Sequence, residues 1–270
     1  MAPFSIAYRD FSFLQYRWGD LRIFVDPVYS DFDGGDWRRR YDVEPCDYVL
    51  VSHRHFDHFF DILDQMDESD AVMVGAPELC DFVRRRLDLP SRRFVELEDR
   101  QSARVEGTDR DFRVTSMEMD HGGYVRHWRD FTYDPRALLR MMTLQARSPR
   151  WNHHHAFVLE IAGHSIAHVG EGFNDETHFE RQRRRFKEWD IDVVVCAADM
   201  DYSPDVGVGV SLFDPELVLL YHPHEQILDY FDVPRDTLAD FRAAIEERNA
   251  RATIIELTPN HNFEFNDGSR

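Results

Sequence analysis

Apolar and polar residues alternate over Leu14, Tyr16 and Trp18, and again over Leu21, Ile23 and Val25, with Gly19-Asp20 between the two runs. A period of two on both sides of a turn pair predicts a β-hairpin, and Asp26-Pro27 stops its second strand. Tyr48-Val49-Leu50-Val51 is continuously apolar, the pattern of a short strand buried on both faces. A helix is predicted beyond it through Leu63 and Met66. Strands are predicted at Ala71–Val74, Phe94–Leu97 and Phe112–Met119. Between the first two, Pro77 opens a helix running through Arg86, at a position where its missing N–H costs little. Phe157–Ile161 and Ile166–Val169 read as a strand pair turned at Gly163-His164. Asn174 or Asp175 can cap a helix reaching Trp189. Ile191–Cys196 and Leu217–Tyr221 predict two more buried strands. Pro234–Arg248 carries Leu238, Phe241, Ala244 and Ile245 on one helical face, and Thr253–Leu257 is the last strand expected.

This alternation predicts an α/β fold with antiparallel hairpins, in one domain over residues 1–270, since no Pro/Gly/Ser-rich linker divides it. The exception is a long irregular stretch over Gly122–Asn152. Insertions of that length in compact domains are usually functional or mobile.

Composition narrows the partners. With 32 Lys+Arg against 51 Asp+Glu, the formal charge is −19. Phosphate surfaces repel such a chain, which argues against nucleic acid and anionic membrane as partners and favours a small-molecule substrate. A homo-oligomer stays open. No apolar run approaches the roughly 18 residues of a membrane span. The N-terminal residues lack the basic and apolar regions of a signal peptide. Cys46, Cys80 and Cys196 are odd in number and without metal-knuckle spacing, so they are expected as free thiols of a cytoplasmic protein.

The chemistry concentrates in His53-x-His55-x-Asp57-His58, which begins where the buried strand Tyr48–Val51 ends. On extended backbone, residues two apart point the same way, so His53 and His55 can grip one metal. Asp57 and His58 follow after the chain turns toward a helix and can face a second. Imidazole and carboxylate suit Zn²⁺, Mn²⁺ or Fe.

With this motif in place, the sequence resembles the metallo-β-lactamase superfamily, in the branch of ascorbate-6-phosphate lactonases and the phospholipase D acting on N-acyl phosphatidylethanolamines. The resemblance is carried in order by LRIFVDP (21–27), DYVLVSHRHFDH (47–58), RVTSMEMDH (113–121), the hairpin from Phe157 to Gly170 with Glu171 after it, and LVLLYH (217–222). It implies a four-layer αββα sandwich with two divalent metal ions, zinc first and Mn or Fe as alternatives. It places His53, His55 and His121 on one metal, and Asp57, His58 and His222 on the other. Where the family has a bridging aspartate this sequence has Glu171, one methylene longer, which can bridge, bind one ion only or impose a different spacing, with Asp120, Asp175 and Asp199 as other oxygen donors nearby. The implied activity is hydrolysis of a small ester, lactone, amide or phosphodiester by metal-bound hydroxide. Asp57 would orient the hydroxide, and His155 or His224 would protonate the leaving group. A di-iron redox enzyme on the same scaffold is the alternative, motivated by Glu171 and the extra carboxylates.

Among weaker candidates, alternation through His153-His154-His155 aims the outer two to one side and His154 to the other. Arg126, His127 and Arg129 could bind an anionic group. Gly207-Val208-Gly209-Val210 lacks the strand–turn–helix context of a nucleotide fingerprint.

Overall fold

The computed structural model describes residues 2–28, 45–106, 110–119, 154–173, 188–223 and 232–265, with single positions within 135–149 and 225–229. The described residues form two seven-stranded sheets. The first contains, in spatial order, β14 (Asn262–Phe265), β1 (Phe4–Asp10), β2 (Phe13–Trp18), β3 (Leu21–Val25), β4 (Tyr48–Val51), β5 (Val72–Gly75) and β6 (Phe94–Glu96). The second contains β13 (Thr253–Leu257), β12 (Leu217–Tyr221), β11 (Val193–Ala197), β10 (His164–Gly170), β9 (His154–Ile161), β8 (Asp111–Met119) and β7 (Ser102–Glu106).

The inner faces meet in one core, to which Tyr16, Ile23, Val25 and Leu50 contribute from the first sheet and Phe157, Leu159, Ile166 and Leu219 from the second. Among the described residues, three helices cover the first sheet's outer face: α1 (Phe56–Phe59), α2 (Ile62–Glu68) and α3 (Pro77–Leu87), burying Phe59, Ile62, Leu79 and Val83. On the second sheet's outer face, α4 (Ser203–Ser211) and α5 (Leu238–Arg248) bury Val206, Val210, Phe241 and Ile245. This is the αββα sandwich.

Alternation and apolar runs located the strands because each sheet is buried on both faces near its centre. Every residue of β4 and of β11 is buried, and both strands pair in parallel with at least one neighbour. Several expectations are corrected. Thr253–Leu257 is not the last strand: β14 follows and pairs antiparallel with β1. The C-terminal helix starts at Leu238 rather than Pro234, because Thr237 and Asp240 form a reciprocal capping box. The helix after the histidine motif is two short helices. Helix α4 carries no clear helical signal in sequence, since Gly207 and Gly209 read as breakers. A Cβ on Gly207 would stand 2.5 Å from Ala244 O, and one on Gly209 2.3 Å from Phe173 Cδ1, so glycine is what lets α4 approach its neighbours. Most of the helix expected from Asn174 to Trp189 (residues 174–187) and most of the 122–152 stretch lie outside the described residues, as do His121, His153, His224, Asp120, Asp175, Arg126, His127 and Arg129; Glu188 and Trp189 are described and are not helical. No described helix is long and apolar enough to cross a membrane.

Candidate metal centre

The candidate residues gather at one edge of the sandwich, where the chain leaves β3, β4, β10, β11 and β12. Asp26 follows β3, and its N–H donates to Leu50 O at 2.9 Å. That bond lays its carboxylate beside the start of the histidine motif. Ser52 and His53 follow β4 directly. Glu171 follows β10, where Gly170 adopts φ +59 and the register with β11 shifts between His168 and Gly170. The positive φ favours glycine, and the bulge re-aims the chain so that Glu171 leaves toward the motif. The sheets are tied together at this edge, since His155 N donates to Ser52 O at 3.0 Å.

His53, His58 and Glu171 are buried, and one ligand atom from each lies within 4.8 Å of the others. His55 joins through His53: His53 Nε2 and His55 Nδ1 are 2.8 Å apart. Asp57 is buried in α1, and His222 is half-buried at the end of β12, where Tyr8 OH donates to its carbonyl at 2.7 Å. Both lie at the same edge, outside the close trio.

Asp26, read in the sequence only as a strand stop, organises two of these rings. Its carboxylate accepts from Ser52 N at 2.7 Å, from Ser52 Oγ at 2.5 Å and from His58 Nδ1 at 2.8 Å. Ser52 has a single hydroxyl proton, and it is given to Asp26. At 2.9 Å from His53 Nδ1, the serine oxygen therefore accepts the Nδ1 proton. That assignment leaves the lone pair of His53 on Nε2, toward His55. One carboxylate thus fixes the tautomer of His53 through Ser52 and that of His58 directly, as outer carboxylates do for metal-ligating histidines.

His58 Nε2 faces Glu171 Oε1 at 3.1 Å, and Ser12 Oγ donates to the same oxygen at 3.4 Å. Burial opposes an imidazolium here. Glu171 and Asp26 on either side outweigh it and hold the His58 pKa well above the ordinary histidine range. The ring therefore carries a proton on Nε2 that a cation would displace. Imidazole nitrogens and a carboxylate, buried together with their outer nitrogens engaged, fit a divalent transition ion.

Two further histidines border this group. The His154 ring lies 4.7 Å from that of His53, and His155 Nδ1 is hydrogen-bonded to Ser116 Oγ. Beneath the site, Tyr16 OH and His168 Nδ1 share a hydrogen bond of 2.7 Å between the sheets. Burial pushes the His168 pKa down to about 4 and the Tyr16 pKa up, so both are neutral. Sequence reading singled out neither Asp26 nor His168 as a site residue. The signal for Asp26 was its place at the end of a buried strand beside the motif strand.

The family model described as "Beta-lactamase superfamily domain" matches residues 21–208. The chain belongs to the metallo-β-lactamase superfamily. Its overall fold is that of Igni18, a metallo hydrolase from Ignicoccus hospitalis, with a TM-score of 0.67 and 13% identity over 98% of this chain and 100% of that one. The metallo-β-lactamase fold protein YhfI from Bacillus subtilis superposes at TM-score 0.60 and 11% identity, over 98% and 100% of the two chains. The diiron β-hydroxylase CmlA from Streptomyces venezuelae gives 0.60 and 13%, over 98% of this chain and 54% of that one. In sequence, a "UPF0173 metal-dependent hydrolase" of Staphylococcus aureus (strain MRSA252) is 24% identical over 79 residues, which are 29% of this chain and 34% of the relative. The match thus spans about a third of the relative's length.

Proposed function

We propose that this superfamily member is a metal-dependent hydrolase acting on a small ester, lactone, amide or phosphodiester. The observation carrying this reading is the buried trio His53, His58 and Glu171, with Asp26 presetting both histidines. The metal-dependent hydrolase name of the staphylococcal relative supports it. His53, His55 and His121 would hold one divalent ion and Asp57, His58 and His222 a second, with Glu171 between them; zinc is the first expectation, Mn or Fe the alternatives. Such ions lower the pKa of a coordinated water toward neutrality and polarise the scissile group.

The chain's own residues do the rest. Asp26 and Ser52 keep the Nδ1 protons of His58 and His53 in place, so the Nε2 atoms face the site. Asp57 orients the attacking water while it holds the second ion. Ser116 engages His155 Nδ1, so proton delivery by this ring would run through Nε2; His224 is the other candidate acid. The acidic chain favours a small substrate over a polyanion. Hydrolysis of ester, lactone and phosphodiester probes by zinc- or manganese-loaded protein tests the proposal. Loss of at least a hundredfold in His55→Ala is expected, and undiminished turnover in that variant overturns it.

A second reading, a di-iron redox enzyme, is favoured by one observation: two buried carboxylates, Asp57 and Glu171, accompany the histidines. Carboxylates set beside imidazoles suit non-haem iron. A protein isolated colourless and carrying zinc alone counts against it.

A further inference from the structure

The loop carrying His55 is held from outside its own element. His55 is the N-cap of α1, and its side chain makes no capping bond. His58 N and Phe59 N both turn back to His55 O, at 3.0 and 2.9 Å. The N–H of Phe56, at the first helical position, has no acceptor within its own helix. Gln145 supplies one. Its Oε1 accepts from Phe56 N at 3.3 Å, and its Nε2 donates to Arg54 O at 3.1 Å. A single side-chain amide therefore grips the backbone on both sides of His55. Its orientation is set by chemistry, since only the oxygen can accept from N–H and only the nitrogen can donate to C=O. Arg54 Nη1 returns a bond to Pro149 O at 3.4 Å. Gln145 itself belongs to a helical turn, in which Ala146 N donates to Met142 O at 3.0 Å.

We propose that Gln145 is a positioning residue for the metal centre: a two-point clip whose side-chain amide fixes the His53–His55 loop. The inference rests on the reading of His53 and His55 as metal ligands, and does not need the hydrolytic reaction. The aliphatic stem sets the reach and the amide sets the polarity, so neither leucine nor glutamate can replace it. Leucine removes both bonds. Glutamate keeps the acceptor for Phe56 N and loses the donor to Arg54 O. Outer residues that orient ligands typically change metal affinity by about 10–100-fold.

The test is cobalt(II) titration of the full chain, read by its visible d–d absorption, in wild type, Gln145→Leu and Gln145→Glu, with far-UV circular dichroism and thermal midpoint alongside. We expect Gln145→Leu to weaken cobalt binding about tenfold or more and to alter the d–d bands, with Gln145→Glu intermediate. Wild-type affinity and bands in both variants overturn the proposal. So does a lowered thermal midpoint with unchanged bands, which is the mark of a merely structural contact. If Gln145→Leu does not fold, the near-isosteric Gln145→Glu decides alone. A wild-type chain that binds no cobalt overturns the clip and the metal centre together. Altered cobalt bands in a chain that hydrolyses no probe leave the clip standing and remove only the hydrolase.

Discussion

Asp26 binds His58 directly, through an Nδ1–H···Oδ2 bond of 2.8 Å in which both partners are buried. Because the same carboxylate also accepts the Ser52 hydroxyl bond, it acts on the two proposed ligand rings, His58 and His53, at once. Replacing it with asparagine keeps the size and leaves one amide face unable to accept. Asp26→Asn is expected to lower metal affinity about 10–100-fold. It should also cost about 1–3 kcal/mol of stability, by stranding buried donors. Competition against a chromophoric chelator and urea denaturation measure the two effects separately.

Proton uptake below and proton loss above about pH 6.5, the ordinary histidine pKa, are expected to limit the stability of the metal-free chain on both sides. His168 has its folded pKa lowered to about 4, chiefly by burial. As pH falls from about 6.5 toward 4, the unfolded chain takes this proton and the folded chain does not, so stability is lost across that window. The full shift amounts to about 3 kcal/mol. His58 behaves oppositely. Its folded pKa is raised, so its contribution is complete below about 6.5 and is lost as pH rises toward the folded value. Urea midpoints measured across this range in chelator-treated protein should pass through a maximum. His168→Gln should flatten the acid limb, and Glu171→Gln the alkaline one.

Metal removal should destabilise the fold as well as silence the centre. The proposed ligands come from segments following strands of both sheets, and an ion bound to the native state alone adds RT ln(1 + [L]/Kd). That is about 2.7 kcal/mol at a hundredfold excess over Kd. Thermal midpoints with and without added zinc after chelation provide the check, and His53→Ala should abolish the difference.

Gly207→Ala is expected to destabilise without touching the site. The new methyl group would meet the backbone of Ala244 at 2.5 Å, and backbone cannot rotate away as a side-chain tip can. Overpacking of this kind costs about 1–3 kcal/mol. The denaturation midpoint should fall while metal stoichiometry stays at the wild-type value.

The fold was legible wherever burial imposes a period. Val49 and Val195, on strands covered on both faces, belong to apolar runs that sequence exposes at once. Helix α4 was hidden because close packing on Ala244 and Phe173 demands glycine, which sequence reading takes as a breaker. Strand β1 was missed although Phe4, Ile6 and Tyr8 alternate and it pairs with β2 next to it; β14 was missed because its partner β1 lies more than 250 residues away in sequence, which no local pattern reports. At the site, the motif histidines were plain from spacing, whereas the role of Asp26 depends on β3 lying beside β4. Gln145 was invisible for the same reason: its partners are some ninety residues upstream.

The bond from His155 to Ser52 has a wider consequence. With the bonds from Tyr16 to His168 and from Tyr8 to His222, it is one of a few polar ties between two sheets whose shared core is apolar, and apolar side chains hold no preferred alignment with the accuracy that ion coordination demands. His53 and His58 belong to one sheet's edge, Glu171 to the other's. Sliding one sheet past the other by a single residue, about 3.3 Å, would leave much of the greasy interface in contact and pull the trio apart. Chemistry at this edge is therefore a gauge of alignment: substitutions far inside the sandwich that let the sheets creep would surface first as a damaged centre, well before the protein melts.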